Sequence, residues 1–178
     1  MFDNKKVLQI ISYLLSLNGN KMDKLKLMKE LYLIDRMSID EDNSSISGDN
    51  FFSMKYGPVL SMTLNIINDI PNDNSWSEYL KLEDNKSLIL IKPFDEGMLS
   101  KRDKYFINAV SDKYKNYSTA QLIDFTHQLP EWKNPAESNR KIKFSDIMKA
   151  LGKSDEEIIS AKNEYDNLTD LYTSIGLK

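Results

Sequence analysis

Asp23-Lys24-Leu25-Lys26-Leu27-Met28-Lys29-Glu30-Leu31-Tyr32-Leu33-Ile34-Asp35-Arg36-Met37-Ser38-Ile39-Asp40 is the stretch that decides the fold. Read as a helix from about Asp23 to Asp40, it spreads Leu25, Leu27, Met28, Leu31, Tyr32, Ile34 and Met37 over more than one stripe. A helix apolar on several sides belongs in the middle of a bundle. The charges Lys24, Lys26, Lys29 and Glu30 cluster in its first two turns, and Lys26 and Glu30 form an i,i+4 pair worth ~0.2–0.5 kcal/mol. Arg36 and Asp40 are spaced alike and read as a solvated bridge of little weight. Asp35 lies four residues from both Leu31 and Ile39, so its carboxylate sits among apolar neighbours and needs a partner. It reads first as an acceptor for backbone N–H groups of the following loop. The other readings are an acid/base or an anchor for a partner's cation.

Upstream, Val7, Ile10, Ile11, Leu14 and Leu15 form one apolar stripe of a first helix, with Asp3 as N-cap and Asn18-Gly19-Asn20 as its stop. Downstream, Glu41 to Asn50 is a polar loop. Phe51 to Tyr56 reads as extended, and Pro58 is expected to open a third helix running to Asp69, because the N–H that proline lacks is unpaired in a first turn. Tyr79–Leu82 and Ser87–Ile91 form the one expected hairpin. Helices follow over Lys101–Tyr114, Thr119–His127 with Ser118 as N-cap, and Phe144–Leu151. A last helix starts in the Ser154-Asp155-Glu156-Glu157 capping box, with Ile158, Ala161, Tyr165, Leu168 and Tyr172 on its inner face. The expected fold is mainly α: one compact helical domain over residues 1–178 with one small β-hairpin, winged-helix-like in its first half.

Composition narrows the chemistry. The 178 residues include no Cys and one His, which excludes disulfides, thiolate nucleophiles, Cys-ligated metals and any site built on two imidazoles. The net charge is −3, and residues 1–92 (11 basic, 13 acidic) resemble residues 93–178 (13 basic, 14 acidic), so neither half is a basic module. No apolar run reaches the ~20 residues that span a bilayer, and the start lacks a signal peptide's apolar core. A cytoplasmic protein without cofactor or metal is expected. His127, near Pro130 and Trp132, reads as a helix C-terminal His packed on an aromatic rather than as a base. Tyr56-Gly57-Pro58 reads as an exposed turn, with one glycine too few for a phosphate nest.

Three helices and a hairpin is the element order of a winged helix. Its recognition helix would be Pro58–Asp69, which offers Asn65 and Asn68 but no Lys or Arg, and the wing tip carries Glu83 and Asp84 against Lys86. Contact with bases and phosphates calls for cations there. A DNA-binding regulator of a phage or mobile element is therefore the disfavoured alternative.

The order of three strings, Lys24 to Arg36, then Ser47-Gly48-Asp49, then Phe52-Ser53-Met54-Lys55-Tyr56-Gly57-Pro58-Val59, resembles the SocA-like antitoxin family, the Panacea domain. A weaker later match is His127 with Trp132 around Pro130. The resemblance covers about residues 5–135. Glu30 stands where the pattern usually has an apolar residue, which is expected to make one helix face more polar, and Ile34 where it usually has Ala. The resemblance implies an antitoxin found in bacteria, prophages and phages that binds and neutralises a cognate toxin, with no catalysis. The expected partner surface is Asp35, Arg36, Tyr56, Gly57, Pro58 and Trp132.

Overall fold

The computed structural model describes the backbone of residues 1–174 and the side chains of all of these except 165, 166 and 168–174. Expectations for Tyr165, Leu168 and Tyr172 lie outside the described side chains. Helix α1 (Asn4–Leu17) is capped by Asp3, whose carboxylate accepts from the N–H groups of Lys5 and Lys6. Gly19 and Asn20 turn the chain through positive φ into strand β1 (Lys21–Asp23). Helix α2 (Lys24–Asp42) follows, capped by Asp23. Leu27, Met28, Leu31, Tyr32, Ile34 and Ile39 on α2 are all but inaccessible to solvent, so the central position expected from its apolar spread is what the fold shows.

Next come strands β2 (Phe51–Met54) and β3 (Gly57–Leu60), then helix α3 (Ser61–Asp69) and a 3-10 turn (Ile70–Asn72). Strands β4 (Leu80–Glu83) and β5 (Ser87–Leu90) fall within a residue of the expected hairpin, its turn made by Asp84 and Asn85 at positive φ. Helices α4 (Lys101–Tyr114) and α5 (Thr119–His127) match their expected spans, each opening on a capping box at Ser100 and Ser118. Strand β6 (Arg140–Ile142), α6 (Phe144–Ala150) and α7 (Asp155–Ser174) complete the order, and the box at Ser154 and Glu157 forms as read.

The structure corrects the mainly helical expectation to a mixed α/β fold, with two three-stranded antiparallel sheets among the described residues. One is ordered β1-β5-β4 and the other β3-β2-β6. Both extra outer strands have three residues, too few to show an alternating pattern. Their partners lie far along the chain: Met22 opposes Leu88, and Ile142 opposes Phe51. Strand β1 lies between the first two helices and pairs with the later β4-β5 hairpin. Here a second hairpin, β2-β3, is inserted ahead of α3.

The expected helix start at Pro58 is also corrected. Phe51–Met54 pairs in register with Gly57–Leu60, so Pro58 lies in a strand and the helix starts at Ser61. The N–H of Ser61 donates to the Asn50 carbonyl at 2.9 Å. Alternation along the ladder from that bonded pair makes Ser53 and Pro58 a non-bonded pair. Proline costs the sheet nothing there, because the missing N–H would point away from β2. The helix start is capped instead by Asp49, which accepts from the Met62 N–H (2.9 Å), the Thr63 N–H (2.8 Å) and the Thr63 hydroxyl (2.7 Å).

Candidate functional site

The second and third strings pack along the middle of α2, which carries the first. Its side chains fix, in turn, the β2-β3 hairpin, the polar loop before it and the segment after α5. Lys29 is the most unusual of them. It has no solvent exposure, and its Nζ donates to the Pro58 carbonyl at 2.9 Å. That carbonyl is on the edge of β3 facing away from β2, so the lysine closes that edge. Burial with a single acceptor pulls the Lys29 pKa down from 10.5 to about 7. Gly57 packs against the same lysine at φ +100°, with Thr126 alongside. The Thr126 hydroxyl donates back to the carbonyls of Leu122 (2.9 Å) and Ile123 (3.1 Å) on α5.

One turn further along α2, Tyr32 Oη and Arg36 Nε donate to the same Glu131 oxygen at 2.9 and 2.7 Å. The expected Arg36–Asp40 bridge is thus replaced: Arg36 reaches a carboxylate from a distant loop, and Asp40 lies near Lys153. A half-buried pair beside a packed loop holds better than a solvated pair on one helix face. Glu131 is buried, and its Oε2 has no protein partner. Its neighbour Trp132 stacks on His127 at 4.1 Å with 20° between the rings, and its indole N–H donates to the Met54 carbonyl at 3.2 Å. Lys133 N–H donates to Ser53 Oγ at 3.2 Å, so the segment runs along β2. The packing read for His127 is therefore present. Burial, helped by the Lys29 charge, lowers its pKa and favours neutral imidazole.

Asp35 is buried, and Oδ1 accepts from the N–H groups of Ile46 and Ser47, both at 3.0 Å. The Ser47 hydroxyl donates to Oδ2. This is the structural reading of Asp35: the carboxylate folds the polar loop back onto the helix. Burial raises its pKa to about 6, against the lowering by the Ser47 hydrogen bonds. Asp35→Ala is expected to leave those donors unpaired and to cost about 2–3 kcal/mol in urea unfolding. A loss below ~1 kcal/mol would mean water replaces the carboxylate with ease.

The six expected partner residues therefore separate into a surface and its foundation. Tyr56 is 53% exposed at the hairpin tip, and Arg36 and Trp132 are half-buried. Asp35, Gly57 and Pro58 are buried, which corrects the exposed-turn reading for the Gly-Pro pair. Pairing with β2 and the approach of Lys29 from beneath cover them. Glu30 is likewise buried, not part of a polar face. Neither of its oxygens has a hydrogen-bond partner, Lys26 Nζ is 3.9 Å away, and burial raises its pKa to about 7. Lys29, Thr126 and Glu131 escaped the sequence reading. The available signal for Lys29 was a cation on a helix apolar on several sides.

Among the described residues no helix is long and apolar enough to cross a membrane. Comparison with curated proteins and with solved structures returns no match. Residues 27–133 match the family described as antitoxin SocA-like, Panacea domain. That span begins in α2, ends one residue past Trp132 and contains the side-chain contacts of Lys29, Asp35 and Trp132 around the hairpin, while β6 lies beyond it. It covers more than half of the chain, which therefore belongs to the SocA-like antitoxin family of Panacea domains.

Proposed function

We propose that this chain is an antitoxin that binds a cognate toxin protein and neutralises it by occupying its surface, with no bond made or broken. The observation that carries the reading, beside family membership, is the hairpin tip. Tyr56 projects from a turn whose next two residues are buried and clamped from below by Lys29. An aromatic anchor on a rigid support gives up little conformational freedom on binding, which is what interface hot spots require. Trp132, a half-buried ring, is bonded to Met54 two residues before Tyr56, and half-buried Arg36 holds the neighbouring Glu131.

Co-expression with the product of the neighbouring open reading frame tests the proposal. The wild-type chain should rescue growth and co-purify with that product. Tyr56→Ala should retain the wild-type unfolding midpoint and lose about 2 kcal/mol of binding, near thirtyfold in Kd. Full binding by a folded Tyr56→Ala, together with a folded Trp132→Ala, would place the interface elsewhere. The DNA-binding alternative gains nothing from α3, which carries no Lys or Arg. Lys24 Nζ also holds the wing tip to that helix through Asn68 and Asn85.

A further inference from the structure

The β3-β2-β6 sheet has two unlike edges. At β3 the outward residues are Pro58, which has no N–H and whose carbonyl is taken by Lys29, and Leu60, which is buried where the strand passes into α3. At β6 the alternation fixed by the Asn50–Ser61 pair makes Phe51–Ile142 and Ser53–Arg140 the bonded pairs. The N–H and C=O of Lys141 therefore point away from β2, and no partner for them is present among the described residues. Charge singles out the same edge. Lys133, Arg140, Lys141 and Lys143 are exposed, and none of them forms an ion pair among the described residues. Of the nearby carboxylates, Glu137 is exposed and Asp146 accepts from the Lys143 backbone N–H. Three of these cations lie in or next to β6, and Lys133 joins the same sheet through its N–H on Ser53, the residue opposite Arg140, in a chain of net charge −3. Beside Lys141, on the face it shares across the strands, Phe52 and Met54 are half-buried.

We propose that the open edge of β6 receives an extended acidic segment of the partner polypeptide as a fourth strand of this sheet. The inference rests on the antitoxin reading for the partner's identity and adds the chemistry of its docking segment. Backbone groups of Lys141 would pair with the incoming strand, the cations would meet its carboxylates, and Phe52 and Met54 would take apolar side chains on the shared face. A free lysine-rich edge also guards against pairing between copies, and an acidic strand is the kind that this guard admits. Nucleic acid would use the cations but not the strand-edge hydrogen bonds.

The test uses the full chain and three fluorescent probes: a short peptide alternating Glu and Val, its Lys and Val counterpart, and oligo-dT. Anisotropy should show binding of the Glu-Val peptide only. Reversing Arg140 and Lys143 together to Glu should weaken it by about tenfold or more. Lys141→Pro, which removes an outward N–H and no bond to β2, should weaken it well beyond Lys141→Gln, which removes the charge alone. Amide exchange at Lys141 in the wild-type chain, slowed by the peptide, gives a readout that needs no variant. Absence of peptide binding, equal binding by the Pro and Gln variants, or a preference for oligo-dT would overturn the proposal. A toxin retained equally by wild type and Lys141→Pro overturns the edge and leaves the antitoxin reading standing. Peptide binding by a chain that captures no toxin does the reverse.

Discussion

Gly57→Ala is expected to remove about 4 kcal/mol of folding stability, a large share of what a domain of this size holds. Two costs add. The residue sits at φ +100°, where an L side chain is strained by about 1–3 kcal/mol. A Cβ there would stand 2.7 Å from Thr126 Oγ1 and 3.1 Å from both Cε and Nζ of Lys29. Neither neighbour yields freely, since both are hydrogen-bonded and buried, and overpacking of this kind costs about 1–3 kcal/mol. Gly19→Ala is the control: Gly19 is also at positive φ (+72°), but nothing lies within 4 Å of its Cβ position, so only about 1 kcal/mol should be lost. Urea unfolding of both variants separates conformation from contact. Thr126→Ala in the Gly57→Ala background should recover part of the loss, a coupling that a double-mutant cycle reads directly. Equal losses at the two glycines would show that Lys29 and Thr126 do not set the space at Gly57.

The second large effect is on pH. The Lys29 pKa of about 7 in the fold, against 10.5 in the open chain, comes from burial. Below pH 7 both states hold the proton and the full penalty is present. Between 7 and 10.5 the folded chain releases a proton that the unfolded chain keeps, so stability climbs. At about 1.36 kcal/mol per pH unit, the gain from pH 7 to 9 is on the order of 2–3 kcal/mol. Glu30 acts on the other side. Burial raises it from 4.5 to about 7, so stability is full below pH 4.5 and is lost as pH rises towards 7. Asp35, raised from 3.8 to about 6, adds in the same direction. The two carboxyls and the lysine together place a trough in stability near neutrality. Urea midpoints measured from pH 5 to 9.5 should trace it. Lys29→Met should flatten the alkaline arm, and Glu30→Gln the acidic one. An alkaline arm that survives in Lys29→Met would assign the proton to another group.

What the sequence reveals follows how far apart the interacting residues lie. Helices α1, α2, α4 and α5, the caps of α1 and α5 and the β4-β5 hairpin were legible because stripe, cap and turn occur within one short window. Strands β1 and β6 were not, since Lys21–Asp23 and Arg140–Ile142 become strands only through partners contributed from far along the chain. Gly57-Pro58 misled for a specific reason: a proline at an outward, non-bonded strand position looks, residue by residue, like one opening a helix. At the site, the role of Asp35 was readable from its apolar neighbours and the polar loop that follows. The partner of Arg36 was not, because Glu131 lies 95 positions away. Lys29 and Glu30 were read as two of the charges clustered in the first two turns of α2, with Glu30 making one face more polar, and that spacing does not show which of the charges the fold buries.

The clamp beneath the hairpin also separates the groups that hold the shape from the tip that the proposed interface uses. Lys29, Asp35, Asp49 and Glu131 spend their polar groups internally, on Pro58, the 46–47 loop, the start of α3 and the Tyr32–Arg36 pair. Lys55 and Tyr56 at the tip carry none of that burden. If the tip is the interface proposed above, a substitution at those two positions would retarget the molecule while leaving its architecture intact, so new specificities would be reachable in single steps.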